Sequence, residues 1–184
     1  MAEIARSEFI LGGQRSGKSR RAELLARQWL ATDTANRAVM IATGQPWDDE
    51  MRERIARHQR DRAERVPGMV TVEEPRALAE ALREHSAPHT LVVVDCLTLW
   101  LTNLLMPAEG AAADPAGPTR QLCQAIEAAR GPVVLVGNEI GLGVIPMGRE
   151  VRAFVDALGG LNQAVAAACE RATLMAAGLP LTLK

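Results

Sequence analysis

The sequence has few cysteines and no long apolar run. Its three cysteines, Cys96, Cys123 and Cys169, are scattered and form no C-x-x-C pair, so a zinc site is not expected. No apolar stretch reaches the ~18 residues that suggest a membrane span. Residues 1–7 are charged and lack the apolar core of a signal peptide. Together with an odd number of thiols, these absences favour a cytoplasmic protein with reduced cysteines.

An excess of charge of one sign is also lacking. The chain carries 21 Lys and Arg against 22 Asp and Glu, a net charge of -1. No broad basic field therefore indicates a nucleic-acid partner. Lysine itself is rare, because every basic residue except Lys18 and Lys184 is arginine. The 184 residues suit one domain covering 1–184, and no internal repeat is visible.

One of the two lysines lies in a glycine-rich segment that matches G-x-x-x-x-G-K-[ST]. Such a loop lets backbone N–H groups curl around phosphate oxygens, while Lys18 reaches the β and γ phosphates and the Ser19 hydroxyl binds Mg²⁺. A helix that begins here points its positive end at the anion. The sequence therefore predicts a nucleoside triphosphate site at Gly12, Gly13, Gln14, Arg15, Ser16, Gly17, Lys18 and Ser19.

Apolar runs alternate with amphipathic segments along the chain. Runs at 9–11, 38–42, 70–73, 91–94 and 133–136 read as strands, and 172–176 with 181–183 as a terminal pair split by Gly178 and Pro180. Helices are expected after the glycine loop, after Pro46 and Asp48 with a stripe of Trp47, Met51 and Ile55, from Pro75 through Leu82, and over 97–105, 119–129 and 149–170. Residues 107–118 read as a loop, and Gly159 with Gly160 could break the last helix. The pattern predicts a mostly parallel α/β sheet flanked by helices.

Asp95 ends the continuous apolar run 91–94, which is typical of a strand buried on both faces. An acid at this place is the usual second Mg²⁺ anchor of a phosphate-loop protein. The alternative is a strand-ending turn or a helix cap, where acids are also common. Ser19 and Asp95 are thus the candidate metal ligands.

The type of phosphate-loop protein can be narrowed from the residues. Guanine-specific switch GTPases carry N-K-x-D, which this chain cannot have because its only lysines are Lys18 and Lys184. No D-x-x-G motif, which these GTPases also carry, begins at Asp95. A small-molecule kinase or another nucleotidyl-group enzyme remains, and a non-catalytic nucleotide-sensing module is a further alternative that two Mg²⁺ anchors disfavour.

Several unusual segments resemble one family in order and spacing. The chain is similar to the bifunctional adenosylcobinamide kinases and adenosylcobinamide-phosphate guanylyltransferases of cobalamin synthesis. The segments that carry the resemblance are G-G-Q-R-S-G-K-S at Gly12, I-A-T at Ile41, D-D-E-M at Asp48, His58, V-D-C-L-T-L-W-L-T-N ending at Asn103, N-E-I-G-L-G at Asn138, and the final G-L-P-L-T-L-K.

The resemblance implies a RecA-like P-loop NTPase fold with an antiparallel C-terminal strand pair, and two reactions at one site. First, ATP or GTP phosphorylates the aminopropanol arm of adenosylcobinamide. Then GTP guanylylates a histidine with release of pyrophosphate, and the GMP moves onto the new phosphate to give adenosylcobinamide-GDP. A kinase that has lost the second activity is an alternative. The family's homo-oligomer, a trimer, is also implied.

His58 is the position that matches the guanylylated histidine. A neutral imidazole is a competent nucleophile near pH 7, and a phosphoramidate is a labile carrier of GMP. By composition alone, a histidine among arginines is more often a solvated helix residue. The same resemblance assigns nucleotide contacts to Ala42, Thr43, Gly44, Gln59, Arg60, Asp61, Arg62 and Glu73. The Glu73 carboxylate would accept hydrogen bonds from guanine. Alternatively, Glu73 is an acidic residue at the start of a helix.

The chain departs from the family at a few positions. Ala63 stands where the family usually has proline, which predicts a looser turn after His58. Gly137 replaces a small hydroxyl residue, and Val155 stands where arginine is expected. The segment 138–143 and Arg152 are expected to contact either the corrinoid or a neighbouring subunit.

Overall fold

The computed structural model describes residues 4–184, apart from the side chain of Arg54. Strands and helices alternate along most of this part of the chain. They are β1 (Ser7–Gly12), α1 (Lys18–Thr32), β2 (Arg37–Ala42), α2 (Asp49–Arg65), β3 (Val70–Glu73), α3 (Leu78–His85), β4 (Thr90–Asp95), α4 (Leu97–Leu105), α5 (Ala116–Glu127), β5 (Val133–Asn138), α6 (Arg149–Ala168), β6 (Arg171–Ala176) and β7 (Leu179–Thr182).

The strands form one sheet in the order β3-β2-β4-β5-β1-β6-β7. All neighbours are parallel except β6 and β7, which are antiparallel. This confirms the mostly parallel α/β class, the flanking helices and the terminal antiparallel pair. Because β5 lies between β1 and β4, the glycine loop after β1 and Asp95 at the end of β4 meet at one edge of the sheet, with the end of β5 between them.

The apolar run 91–94 is buried on both faces, as its composition predicts. Val92 and Val94 pack into the cluster that contains Phe9, whereas Leu91 and Val93 pack into the opposite cluster. Successive side chains of a strand point to opposite faces, so a strand covered by helices on both sides must be apolar throughout. Between residues 4 and 184, no helix combines the length and the apolar character needed to cross a membrane.

Pro75 is not in the first turn of a helix, contrary to expectation. The helix begins three residues later, at Leu78, because the segment before it forms a turn held by side chains. The Glu74 carboxylate accepts from the backbone N–H groups of Arg76 and Ala77, at 2.9 and 2.7 Å. The Asn103 amide donates to the Pro75 carbonyl at 3.0 Å.

Other helix boundaries also differ from the sequence prediction. The helix expected over 119–129 begins earlier and spans Ala116–Glu127, with Pro118 in its first turn, where a missing N–H costs nothing. Gly159 and Gly160 do not break α6, which ends at Ala168 rather than at residue 170. Burial of Leu158 and Leu161 outweighs the ~1 kcal/mol that each glycine costs a helix. Pro180 lies within β7, an edge strand, where proline is tolerated.

The charged helix is confirmed as α2, with two corrections. Trp47 lies before the helix and is exposed, so the apolar stripe consists of Met51 and Ile55. Ala63 is within α2 and not in a turn, so the expected loosening of a turn after His58 is wrong. A proline at this interior position would instead remove a helical hydrogen bond.

Candidate functional site

The glycine loop joins β1 to α1 and depends on two glycines with unusual geometry. Gly12 has φ 154°, and a Cβ there would lie 2.5 Å from the Met175 carbonyl oxygen and 2.5 Å from Ser16 Oγ. Gly17 is the N-cap of α1 and has the left-handed φ of 99°. The motif glycines therefore make room for a tight loop whose N–H groups and helix end can bind phosphate.

Alanine at Gly12 is expected to destabilise the fold, because one of the atoms that the new methyl group would meet is the Met175 backbone carbonyl oxygen, which cannot turn away as a side chain can. We expect a loss of about 2 kcal/mol or more, which is roughly 4–8 °C in Tm for a chain of this length. Gly13→Ala is the matched control, since no heavy atom lies within 4 Å of a Cβ there. Thermal unfolding of both variants checks this, and equal Tm values would contradict it.

Lys18 is held inside the loop that it serves. Its Nζ donates to the Gly13 carbonyl at 2.6 Å and lies 3.5 Å from Ser16 Oγ. The side chain is buried, and the next residue, Ser19, is half-buried. Lys18 and Ser19 are thus the first two residues of α1, as the motif predicts.

A cavity of about 930 Å³ opens above the loop and the carboxyl edge of the sheet, and α2 forms its far wall. We call it the phosphate-loop cavity. Most residues predicted for the nucleotide site line it together, although they come from five different segments. These are Gln14, Arg15, Ser16, Gly17, Lys18, Ser19, Ala42, Gly44, His58, Gln59, Asp61, Arg62, Glu73 and Asp95.

Four of the predicted residues do not line the phosphate-loop cavity. Gly12 and Thr43 are buried beneath it, and Gly13 is exposed on the loop. Arg60 is exposed on α2 two residues from His58, which places it on a different face of the helix from the cavity-lining His58 and Arg62.

Thr43 ties the end of β2 to the end of β4. Its hydroxyl donates to the Cys96 carbonyl at 2.7 Å and accepts from the Cys96 N–H at 2.9 Å. Its N–H donates to the Asp95 carbonyl at 3.2 Å. The buried Asn103 amide then donates to the Thr43 carbonyl at 2.7 Å. These bonds fix the backbone that carries Asp95 at the cavity.

Among the side chains that line the cavity, His58 supplies an imidazole and Cys96 a thiol, and both groups form covalent intermediates in enzymes. Burial, followed by the nearby Asp95 charge, raises the pKa of the Cys96 thiol to about 12. Because the thiolate is the nucleophilic form, this thiol is inert near pH 7. His58 is half-buried and remains the candidate.

Helix α2 is fixed to the fold mainly through its C-terminal half. Arg65 forms an ion pair with the buried Glu23 of α1 at 2.9 Å and with Asp61 at 3.2 Å. The pKa of Arg65 is raised by its hydrogen bond to and the charge of Glu23. At the other end, the Asp48 carboxylate caps the helix by accepting from the Met51 N–H at 2.7 Å. The helix therefore holds His58 over the cavity.

Arg62 is a buried cation beside His58. It is 8% exposed, its Nη1 donates to Thr71 Oγ1 at 3.0 Å, and its buried Nε has no hydrogen-bond partner in the described part of the chain. Among residues 4–184, no carboxylate lies within ion-pair distance of it. A buried guanidinium without a carboxylate that lines a cavity is suited to bind an anion there. His58 and Arg62 are four residues apart and share one face of α2.

Glu73 ends edge strand β3, as the sequence predicts, and it lines the phosphate-loop cavity. It does not begin a helix, since α3 starts at Leu78. Its Oε1 accepts a long 3.4 Å hydrogen bond from Gln59 Nε2 of α2. The carboxylate is exposed and available to a ligand.

The sequence predicts that the segment 138–143 contacts the corrinoid or a neighbouring subunit, and the structure adds that its first residue, Asn138, lines the phosphate-loop cavity. The strand order explains this, because β5 lies beside β1 and Asn138 pairs with Gly12. A glycine precedes it because a Cβ at Gly137 would lie 2.9 Å from the Phe9 ring. The order of parallel strands cannot be read from the sequence, so this position could not be assigned in advance.

The sequence is similar to known proteins of one family. Residues 8–183 match the family described as cobinamide kinase / cobinamide phosphate guanyltransferase. The chain is 46% identical to the bifunctional adenosylcobalamin biosynthesis protein CobP of Pseudomonas aeruginosa, with 96% of each chain covered. It is 36% and 35% identical to the proteins named CobU of Escherichia coli and Salmonella typhimurium, over 96% of this chain and 98% of theirs. The chain therefore belongs to the cobinamide kinase and cobinamide phosphate guanyltransferase family.

Proposed function

We propose that this chain phosphorylates adenosylcobinamide with ATP or GTP and then transfers GMP from GTP, through guanylylated His58, to give adenosylcobinamide-GDP and pyrophosphate. The family membership supports both activities. The observation that carries the residue assignment is that His58 and the buried cation Arg62 line the same cavity as Lys18 and Ser19. A triphosphate bound by the glycine loop would therefore share this cavity with His58 and Arg62 of α2.

In the first reaction, the glycine loop and Lys18 bind the β and γ phosphates. The hydroxyl oxygen of the corrinoid arm attacks the γ phosphorus, and the bond to the β–γ bridging oxygen breaks. Catalysis of this step consists largely of positioning and of stabilising the charge on the phosphoryl oxygens. The buried Lys18 ammonium supplies positive charge that stabilises these oxygens.

Ser19 and Asp95 would hold Mg²⁺ in this reaction. Both are hard oxygen donors, and both line the cavity, Ser19 at the start of α1 and Asp95 at the end of β4. When bound, the ion neutralises charge on the β and γ phosphates. The Thr43 and Asn103 hydrogen bonds keep the backbone around Asp95 in place for it.

In the second reaction, an imidazole nitrogen of His58 attacks the α phosphorus of GTP, and pyrophosphate leaves. The Arg62 guanidinium, one helical turn away, stabilises the charge that develops on the α-phosphate oxygens. The phosphate of the corrinoid then attacks the same phosphorus, and the bond to His58 breaks. His58 therefore carries the GMP between the two substrates.

Guanine would lie at the other end of the cavity, against Glu73. Four strand-to-strand steps separate β1 from β3, about 19 Å at about 4.8 Å a step. A triphosphate held after β1 can extend along this edge and place its base near β3. The Glu73 carboxylate would accept from the N1–H and amino groups of guanine, which adenine cannot match.

The two activities are tested separately on the wild-type protein. GTP labelled at the α phosphate should give an acid-labile, base-stable protein adduct, and ATP or GTP should phosphorylate adenosylcobinamide. Phosphorylation without an adduct would indicate a kinase only. Nucleotide binding with neither reaction would indicate a sensing module and would refute the proposed function.

The apolar loop, residues 140–147, is the surface that we assign to the body of the corrinoid. It follows Asn138, and its first residue, Ile140, lines the phosphate-loop cavity. Val144 and Met147 are each 96% exposed. Arg152 holds the loop by donating to the carbonyls of Pro146 and Met147, at 2.9 and 2.5 Å. A corrinoid whose arm reaches the γ phosphate must lie at the opening of the phosphate-loop cavity, beside the apolar loop. Exposed apolar patches are typical of binding surfaces.

Serine at both Val144 and Met147 is expected to raise the KM for adenosylcobinamide by about tenfold or more, since apolar contact area is lost. Guanylylation of His58 and thermal stability should not change. Val151→Ser, an exposed apolar position in the first turn of α6, is the control. An unchanged KM with a smaller particle in sedimentation would instead assign the loop to the contact between subunits of the proposed trimer.

A further inference from the structure

We propose that Asn138 binds the γ-phosphoryl group during its transfer, by donating a hydrogen bond from Nδ2 to a non-bridging phosphoryl oxygen. The inference rests on the proposed kinase activity and deepens it. It assigns Asn138 to the reacting phosphate.

The position of Asn138 follows from the strand order. It ends β5, which lies between β1 and β4, and it pairs with Gly12, the first glycine of the loop. Asp95 ends the strand on the other side of β5. Asn138 therefore lies at the sheet edge between the phosphate-binding loop and the candidate metal ligand, and it lines the phosphate-loop cavity.

Two side chains from different helices fix the backbone of Asn138. The hydroxyl of Thr98, in α4, accepts from its N–H at 3.0 Å. The amide of Asn162, in α6, donates to its carbonyl at 3.1 Å. The following N–H, from Glu139, donates to the Gly12 carbonyl at 3.1 Å. With these groups occupied, the carboxamide is the group that Asn138 presents to the cavity.

The neighbouring residue determines the direction of the side chain. Gly137 faces Phe9 and Asn162, because a Cβ there would lie 2.9 Å from the Phe9 ring and 3.5 Å from Asn162 Oδ1. Since successive residues of a strand face opposite sides, Asn138 points away from Phe9.

The two buried asparagines nearby behave differently. Asn103 and Asn162 use their amide N–H groups to hold backbone carbonyls, those of Thr43, Pro75 and Asn138. Asn138 is only half-buried, and its backbone rather than its side chain makes the bonds to the fold. This contrast favours a role toward a ligand over a structural role.

A neutral amide suits the step that takes place here. A bond forms between the acceptor oxygen and the γ phosphorus, the bond to the bridging oxygen breaks, and the hydroxyl proton passes to solvent. Negative charge is spread over the three equatorial oxygens of the moving group. An N–H donor fixed in advance stabilises that charge without reorganisation, and the amide takes no proton.

Asn138→Ala is expected to lower kcat for phosphorylation of adenosylcobinamide by about 10²–10³-fold, the usual effect of removing one such donor. The Kd for a non-hydrolysable GTP analogue should change less than about threefold, because the glycine loop and Lys18 still bind the triphosphate. The rate of guanylylation of His58 should fall much less than the rate of phosphorylation, since the bond that breaks in guanylylation is at the α phosphate. Asn138→Asp should be at least as impaired, because its carboxylate repels the phosphoryl oxygens.

Thr98 tests whether the placement of Asn138 matters. Thr98→Val removes the acceptor of the Asn138 N–H and should lower kcat by about tenfold without changing the Kd for the analogue, whereas Thr98→Ser should restore it. Normal kcat in Asn138→Ala would overturn the inference and leave the proposed function intact. Equal losses in both reactions and in nucleotide binding would indicate a structural role and overturn it too. A wild-type protein that does not phosphorylate adenosylcobinamide would refute the proposed function, and this inference with it.

Discussion

Lys18→Ala is expected to lower the rate of adenosylcobinamide phosphorylation by about 10³-fold or more. The ammonium is the one lysine charge on the cavity wall, and phosphoryl transfer depends on charge placed against the β and γ phosphates. The same substitution should reduce guanylylation of His58, because both reactions use the triphosphate bound by this loop. Rates of both reactions at saturating nucleotide check the expectation.

Lys184→Ala is the matched control for this experiment. Lys184 is the only other lysine, and its Nζ donates to the carbonyls of Ala166, Ala167 and Cys169 at the end of α6. Its loss should cost about 1 kcal/mol of stability and leave turnover unchanged. Near-normal phosphorylation in Lys18→Ala would show that the two reactions do not share this loop.

His58→Ala is expected to abolish the guanylylated intermediate and to lower the overall transfer of GMP by roughly 10⁴-fold or more, since the nucleophile itself is removed. Phosphorylation of adenosylcobinamide should continue, because that step needs no covalent carrier. The product that accumulates with GTP should then be adenosylcobinamide phosphate. Radiolabel transfer from α-labelled GTP and chromatography of the corrinoid products measure the two steps.

His89→Ala serves as the control, since His89 is exposed and is not among the residues that line the cavity. It should form the adduct at the wild-type rate. An adduct that persists in His58→Ala would refute the assignment of the carrier. Because the Cys96 thiol has a pKa of about 12, we do not expect it to replace the missing imidazole.

Local sequence determines much of the phosphate end of this site. The motif from Gly12 to Ser19 requires a strand before it and a helix after it, and both are present. The run that ends at Asp95 is apolar on both faces because the strand is central in the sheet. These features depend on short-range geometry and burial, so pattern and composition predict them.

The rest of the site depends on contacts between distant segments. Composition alone gives His58 no role, and its place on the cavity wall depends on an ion pair between Arg65 and Glu23, 42 residues apart. The burial of Arg62 beside Thr71 cannot be inferred from a helix this polar. Asn138 lines the phosphate-loop cavity only because β5 is inserted between β1 and β4. The turn at Pro75 likewise depends on Asn103, 28 residues later.

The size of the phosphate-loop cavity has a kinetic consequence. A volume of about 930 Å³ is that of a site for one ligand, and the motif for the glycine loop occurs once in the chain. In the proposed mechanism both nucleotide-consuming steps use this one site, so we expect the diphosphate left by the first step to depart before GTP enters for the second. A high concentration of ATP would then compete with GTP and slow GMP transfer. We therefore expect the ratio of ATP to GTP around the enzyme to influence how much phosphorylated corrinoid accumulates before GMP transfer.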